Sequence, residues 1–166
     1  MANRIDEIAM DGECAGVRRL ILNKTADEIL DRYLPDALTR EGFVILSQIS
    51  LDDALHAKLG LDLRHYTIIG VCHPHVSEGI PPSPESLGLF LQCNIVVYEV
   101  QSQSIVAVIR PTVALEAVSG EGLREIAEGL EERLERVLDT LALTKPPNSP
   151  KRTILASRKP GTKHWP

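Results

Sequence analysis

The chain has 166 residues, 43% hydrophobic and 25% charged, with 11 glycines and 11 prolines; this is the make-up of one globular domain and excludes a collagen, a coiled-coil rod and wholesale disorder. Eighteen basic residues face 23 acidic ones, and because six of the basic residues and no acid fall in residues 145–166, residues 1–144 carry a formal charge of −11. A body that acidic repels a phosphate backbone, and aromatics at 4% leave no base-stacking platform, so no nucleic-acid partner is expected for it.

Residues 1–15 lack periodicity and read as a flexible leader. Their start, Met1-Ala2-Asn3-Arg4-Ile5-Asp6-Glu7, has no apolar stretch of the secretory kind, which points to a cytoplasmic location. Nowhere does an apolar run approach the ~18 residues of a membrane span, so no membrane contact is expected. Val17 to Asn23 is the first strand. Thr25 then opens a helix, with Glu28 at the spacing of a reciprocal cap. Ala26, Ile29, Leu30, Tyr33, Leu34, Ala37 and Leu38 form its apolar stripe. Pro35 displaces the backbone at Asp31 and predicts a kink or restart, and Gly42 supplies a left-handed stop.

Phe43 to Ile49 is the second strand, and Leu51 to Leu59 a short helix closed by Gly60. Tyr66 to Cys72 is nearly all apolar and hence a central strand. A proline-rich connection with Pro74, Pro81, Pro82 and Pro84 leads to two strands, Cys93 to Val100 and Ile105 to Arg110. The polar loop Gln101-Ser102-Gln103-Ser104 joins them as a hairpin. Leu123, Ala127, Leu130, Leu134, Val137 and Leu141 then mark an amphipathic helix, on which Glu132 and Arg136 are spaced as a surface pair. Pro146, Pro147 and Pro150 begin a basic tail, residues 145–166, expected to be disordered.

This order predicts one α+β domain over residues 16–144, a mostly antiparallel five-stranded sheet covered on one face by two main helices. Ile95, Val97 and Glu99 alternate with Val96, Tyr98 and Val100, so both faces of that strand call for cover. A homodimer through the sheet, or an extra layer, would supply it.

The densest chemical cluster is Cys72-His73-Pro74-His75, followed after 20 intervening residues by Cys93. If the two strands are antiparallel neighbours, Cys72 and Cys93 lie at one edge of the sheet. Two thiolates with His73 and His75 would then suit zinc, copper(I) or another thiophilic metal. The plainer alternative is that both cysteines are small apolar fillers of a strand end. Ser119-Gly120-Glu121-Gly122 has the look of a phosphate-cradling turn, but Glu121 would repel an anion there, and Ser119 reads better as a helix cap. There is no G-x-S-x-G and no H-E-x-x-H, so neither an esterase elbow nor a helical zinc-protease site is present.

Glu41-Gly42-Phe43-Val44-Ile45, Leu59-Gly60, the block Tyr66 to Pro74, and the block Leu87 to Glu99 with its Cys93-Asn94 pair together resemble the family called domain of unknown function 302. The similarity spans about residues 17–142. It implies a compact α+β fold of the TATA-box-binding-protein-like class in proteins that tend to be dimers, and it brings no established reaction. It also implies a shared pocket at Cys72, Pro74, Cys93 and Asn94. Gln92 stands where the family usually has proline, and His73 where it often has asparagine, so a role for His73 or His75 would belong to this chain alone.

These readings converge on a dimeric cytoplasmic module that binds a small ligand or soft metal at the Cys72–Cys93 edge without turnover. The alternatives are a redox protein or enzyme using one thiolate as nucleophile, and a dimeric protein-interaction module.

Overall fold

The computed structural model describes residues 14–62, 64–77, 92–116 and 123–144; the turn at 119–122, the basic tail and all but the end of the expected leader lie outside them. After strand β1 (Val17–Leu22), the Thr25 hydroxyl accepts from the Glu28 N–H while the Glu28 carboxylate accepts from the Thr25 N–H, both at 3.2 Å. This is the reciprocal cap read from the sequence, and it satisfies two donors that a helix start leaves open.

From it α1 (Ala26–Glu28), a wider π-helical segment (Ile29–Tyr33) and α2 (Leu34–Arg40) run end to end. The distortion expected of Pro35 is this wide turn. Leu34 donates its N–H to the Ile29 carbonyl, five residues back, and Pro35, which has no N–H to donate, falls just after this shift in bonding register, in the first turn of α2. Fifteen residues of helix extend ~22 Å, enough to cross the ~19 Å between the outer strands of a five-stranded sheet. The crossing ends at Gly42, which adopts φ +82°.

The remaining elements are β2 (Val44–Ser50), α3 (Leu51–Leu59), β3 (Tyr66–Cys72), α4 (Pro74–Ser77), β4 (Cys93–Val100), β5 (Gln103–Ile109), α5 (Pro111–Ala114) and α6 (Leu123–Leu143). Gly60 closes α3 at φ +64°, as expected. Two local readings are corrected. The hairpin turn is only Gln101–Ser102, with Gln101 at φ 55° and Val100 paired to Gln103. Gln103 and Ser104 therefore extend β5, whose right-handed twist a two-residue turn matches better than a longer loop. Pro74, expected in an irregular connection, instead opens the helical turn α4, a position where proline's fixed φ suits a helix start.

All strand pairs are antiparallel, in the order β1-β5-β4-β3-β2, so the α+β class with a five-stranded antiparallel sheet is as read. One face of the sheet meets both long helical segments. Leu22, Val106, Val108, Ile95, Val97, Ile69 and Val71 lie there against Ile29, Leu34 and Leu38 of the first helix. All six residues of the expected α6 stripe are buried on the same side. Polar ties fix the helices: Arg18 on β1 meets Glu135 on α6 at 2.7 Å, and the Glu99 carboxylate on β4 accepts the Ala26 N–H at 3.0 Å. Arg136 pairs not with Glu132 but with Glu41 at 2.8 Å. The Glu41 side chain is only 19% exposed, and a carboxylate set into the α2–α6 junction offers a better-shielded partner than a solvated neighbour one turn away.

Strand alternation sends the other residues to the opposite face, which neither long helix covers. Ile21, Ile105, Val96, Ile68 and Ile49 run across it from edge to edge, and Tyr66 stacks on Tyr98 directly opposite, ring centroids 5.5 Å apart.

Candidate functional site

The expected site lies where β3 ends and β4 begins. The strands are antiparallel neighbours, as the edge argument required, but the register pairs Cys93 with Val71, not with Cys72. Residues opposite one another share a face and successive residues alternate. Cys93 is thus on the helix side, half-buried against the core, while Cys72 is on the open side, opposite Val44 of β2. The two thiols share a rim but are separated by the thickness of the sheet. They still feel each other. Burial pushes the Cys93 thiol above its ordinary range, and charge on Cys72 pushes it further, so Cys93 is held as a neutral thiol.

His73 is 4% exposed. Its Nε2 donates to the Glu41 carbonyl at 3.1 Å, and its ring meets Phe43 edge-on, centroids 5.3 Å apart at 87°. Burial and the Arg133 cation lower its pKa, so the ring is neutral at pH 7 and can hold this single tautomer. It joins the end of β3 to the end of α2. His75 sits in α4 with its ring 6.2 Å from that of His73; the two are not on an extended segment, as their spacing around Pro74 led one to expect, because Pro74 starts a helix.

Among the described residues, no three of His, Cys, Asp and Glu converge as a metal would require. The four-ligand set Cys72, His73, His75 and Cys93 is therefore not assembled. The physical reason is the register: His73 and Cys93 belong to one face and Cys72 to the other.

The open side of the rim instead groups amides and hydroxyls around Gly70. Asn94 lies opposite Gly70, and its Oδ1 accepts from Gln92 Nε2 at 3.0 Å. A Cβ on Gly70 would strike the Gln92 amide and come within 2.5 Å of Ser47 Oγ. Of this set, Asn94 was expected; the expected Pro74 lies at the start of α4. Gly70 and Ser47 were not singled out, although an isolated glycine inside an otherwise apolar strand is the usual mark of close approach by another group.

Comparison with known proteins agrees with this architecture. Residues 20–141 match the model of a family described as domain of unknown function DUF302. No curated protein matches. Among solved structures the chain is similar to an uncharacterised conserved DUF302 protein from Bacillus stearothermophilus, with a TM-score of 0.69 and 29% identity, covering 76% of this chain and 98% of that one.

Proposed function

The chain belongs to the DUF302 family, a domain of unknown function, and from that premise we propose that it is a non-catalytic module that works as a homodimer, two copies packing through the open face of the sheet. The observation that supports this is the chemistry of that face. Arg19 is the one charged residue among its strand positions. Toward its edges Ile21, Ile49, Val44 and Ile109 are 43–58% exposed, whereas Ile105, Ala107, Val100 and Cys72 on the same face are already buried within the chain. Five strands at ~4.8 Å spacing and about 20 Å length outline roughly 500 Å² per copy, so only a pairing that uses the whole face reaches the ~1,000 Å² of a specific interface. The electrostatics favour the same partner. Two bodies of charge −11 (residues 1–144) repel wherever their carboxylates meet, and none of the described strand positions on this face carries one, so two copies approach through these strands at low electrostatic cost.

Cys93, a shielded thiol whose pKa burial raises, is a poor nucleophile, which disfavours the alternative of thiolate chemistry at that residue. The test is mass-resolved size exclusion of the full chain at micromolar concentration, alongside Ile21→Glu and Ile49→Glu, which place charges at exposed positions. The native chain is expected at twice its monomer mass and both variants at the monomer mass; a monomeric native chain overturns the reading.

A second reading rests on the polar group around Gly70. We propose that a small ligand is held there, with Asn94 and Gln92 as hydrogen-bond partners and Cys72 beside them. Native mass spectrometry of the intact chain would then detect a retained small molecule that Asn94→Ala loses. A spectrum at the bare polypeptide mass argues against it.

A further inference from the structure

Between α5 and the first half of α6 runs a groove of about 720 Å³ that neither the dimer face nor the Cys72 rim uses. Its apolar lining comes from Val113, Leu115, Leu123 and Ala127. Its charged lining is five carboxylates (Glu116, Glu128, Glu131, Glu132 and Glu135) against two guanidinium groups, Arg110 and Arg124. Glu131 is occupied: Arg110 Nε donates to it at 2.7 Å, and the Thr112 hydroxyl and N–H donate to its other oxygen. Glu128 pairs with Arg124, and Glu135 with Arg18. Glu116 and Glu132 have no ion-pair partner among the described residues. The groove thus combines an apolar floor with surplus negative charge, which calls for an occupant that is both basic and apolar.

The chain carries such a segment. Residues 145–166 hold six basic and no acidic residues, and Lys151-Arg152 and Arg158-Lys159 flank the apolar Ile154-Leu155-Ala156. We propose that residues 145–166 occupy the α5–α6 groove of their own chain, with the basic pairs toward Glu116, Glu128 and Glu132 and Ile154-Leu155 toward the apolar floor. The reach is sufficient. Glu132 lies 12 residues before Thr144, ~18 Å back along the helix, and the eight residues 145–152 span up to ~26 Å when extended. Pro146 and Pro147 cannot continue α6, so the helix does not carry the segment straight away from the groove.

Carbodiimide cross-linking of the full chain, which joins a lysine to a carboxylate in direct contact, reads this contact at residue level. At low salt, cross-links from Lys151 or Lys159 to Glu116, Glu128 or Glu132 are expected within one chain. They should vanish at ~1 M salt, where the screening length falls to ~3 Å. The cross-link to Glu116, whose carboxylate is untouched, should also vanish in E128K/E132K, two exposed substitutions that leave the Glu131 cluster intact. In parallel, tryptic cleavage after Lys151 and Arg152 should be about tenfold faster in that variant than in the native chain, since cleavage follows the released population. Cross-links spread evenly to Asp52, Asp53 and Asp62, cross-links only between differently isotope-labelled chains, or equal cleavage rates would each overturn the proposal.

Discussion

His73 occupies the space that a side chain on Gly42 would need: a Cβ there would stand 2.8 Å from the imidazole Nε2. Gly42 also sits at φ +82°, a region costing an L-residue roughly 1–2 kcal/mol. Gly42→Ala therefore meets two penalties at once, strain and a collision with a ring that Phe43 and the Glu41 carbonyl hold in place. Gly60 shares the left-handed backbone, at φ +64°, but opens onto empty space. Urea denaturation should show Gly60→Ala losing about 1 kcal/mol and Gly42→Ala about 2–3 kcal/mol. Equal losses would mean that the His73 contact yields freely.

The same histidine makes stability depend on pH. Its folded pKa lies below the ordinary 6.5, first through burial and then through Arg133. The unfolded chain thus binds the proton more readily, and stability rises with pH wherever the unfolded state holds more protons. The contribution is complete above about pH 6.5 and is lost as pH falls through the folded value. Denaturation midpoints taken between pH 8 and 5 should decline on the acid side, and His73→Gln should flatten that part of the curve. An unchanged slope in the variant would assign it elsewhere.

Thiol labelling separates the three cysteines. Cys14 is exposed, Cys72 is buried, and Cys93 is half-buried with its pKa raised by burial. At pH 8, iodoacetamide should modify Cys14 quickly and the other two only on the timescale of opening, with all three reacting in denaturant. Cys14→Ser should remove the fast phase. Rapid labelling of Cys93 in the folded chain would instead favour a thiolate nucleophile.

Much of the fold was legible because each element carries its own punctuation. Thr25 and Glu28 announced a cap, Gly42 and Gly60 announced stops, and the α6 stripe gave both a helix and its buried side. The blocks around Cys72 and Cys93 gave two neighbouring strands whose adjoining ends hold these residues. What they could not supply was pairing register. An offset of one residue sends a side chain through the sheet to the other face, and it is this offset that parts Cys72 from Cys93. Arg136 was misassigned for a similar reason. Local spacing offered it Glu132, whereas Glu41, 95 residues away, becomes its neighbour only when α2 and α6 pack together.

Glu131 supplies a last prediction. Burial alone would raise its pKa, but hydrogen bonds from Thr112 and Arg110, with the Arg110 charge, outweigh burial and lower it. A depressed carboxylate pKa contributes stability that is present above the unfolded value near 4.5 and lost as pH falls through the folded one. Glu131→Gln should cost about 1–3 kcal/mol at pH 7 and less at pH 3, nearer to the folded value at which the native side chain takes up its proton. Paired melts at the two pH values would test this; a cost that does not shrink in acid would point to shape, not charge.

The strand order β1-β5-β4-β3-β2 also fixes when the molecule can assemble during synthesis. The first two strands to leave the ribosome are the two outermost, and they never touch. β1 waits for a partner up to 92 positions later, since Val17 pairs with Ile109. Until the last strand has emerged, the long first helix has no completed surface to lie across. During synthesis the N-terminal third is therefore a segment with an apolar stripe and no completed sheet to bury it, the kind of exposed surface that non-local pairing leaves open longest.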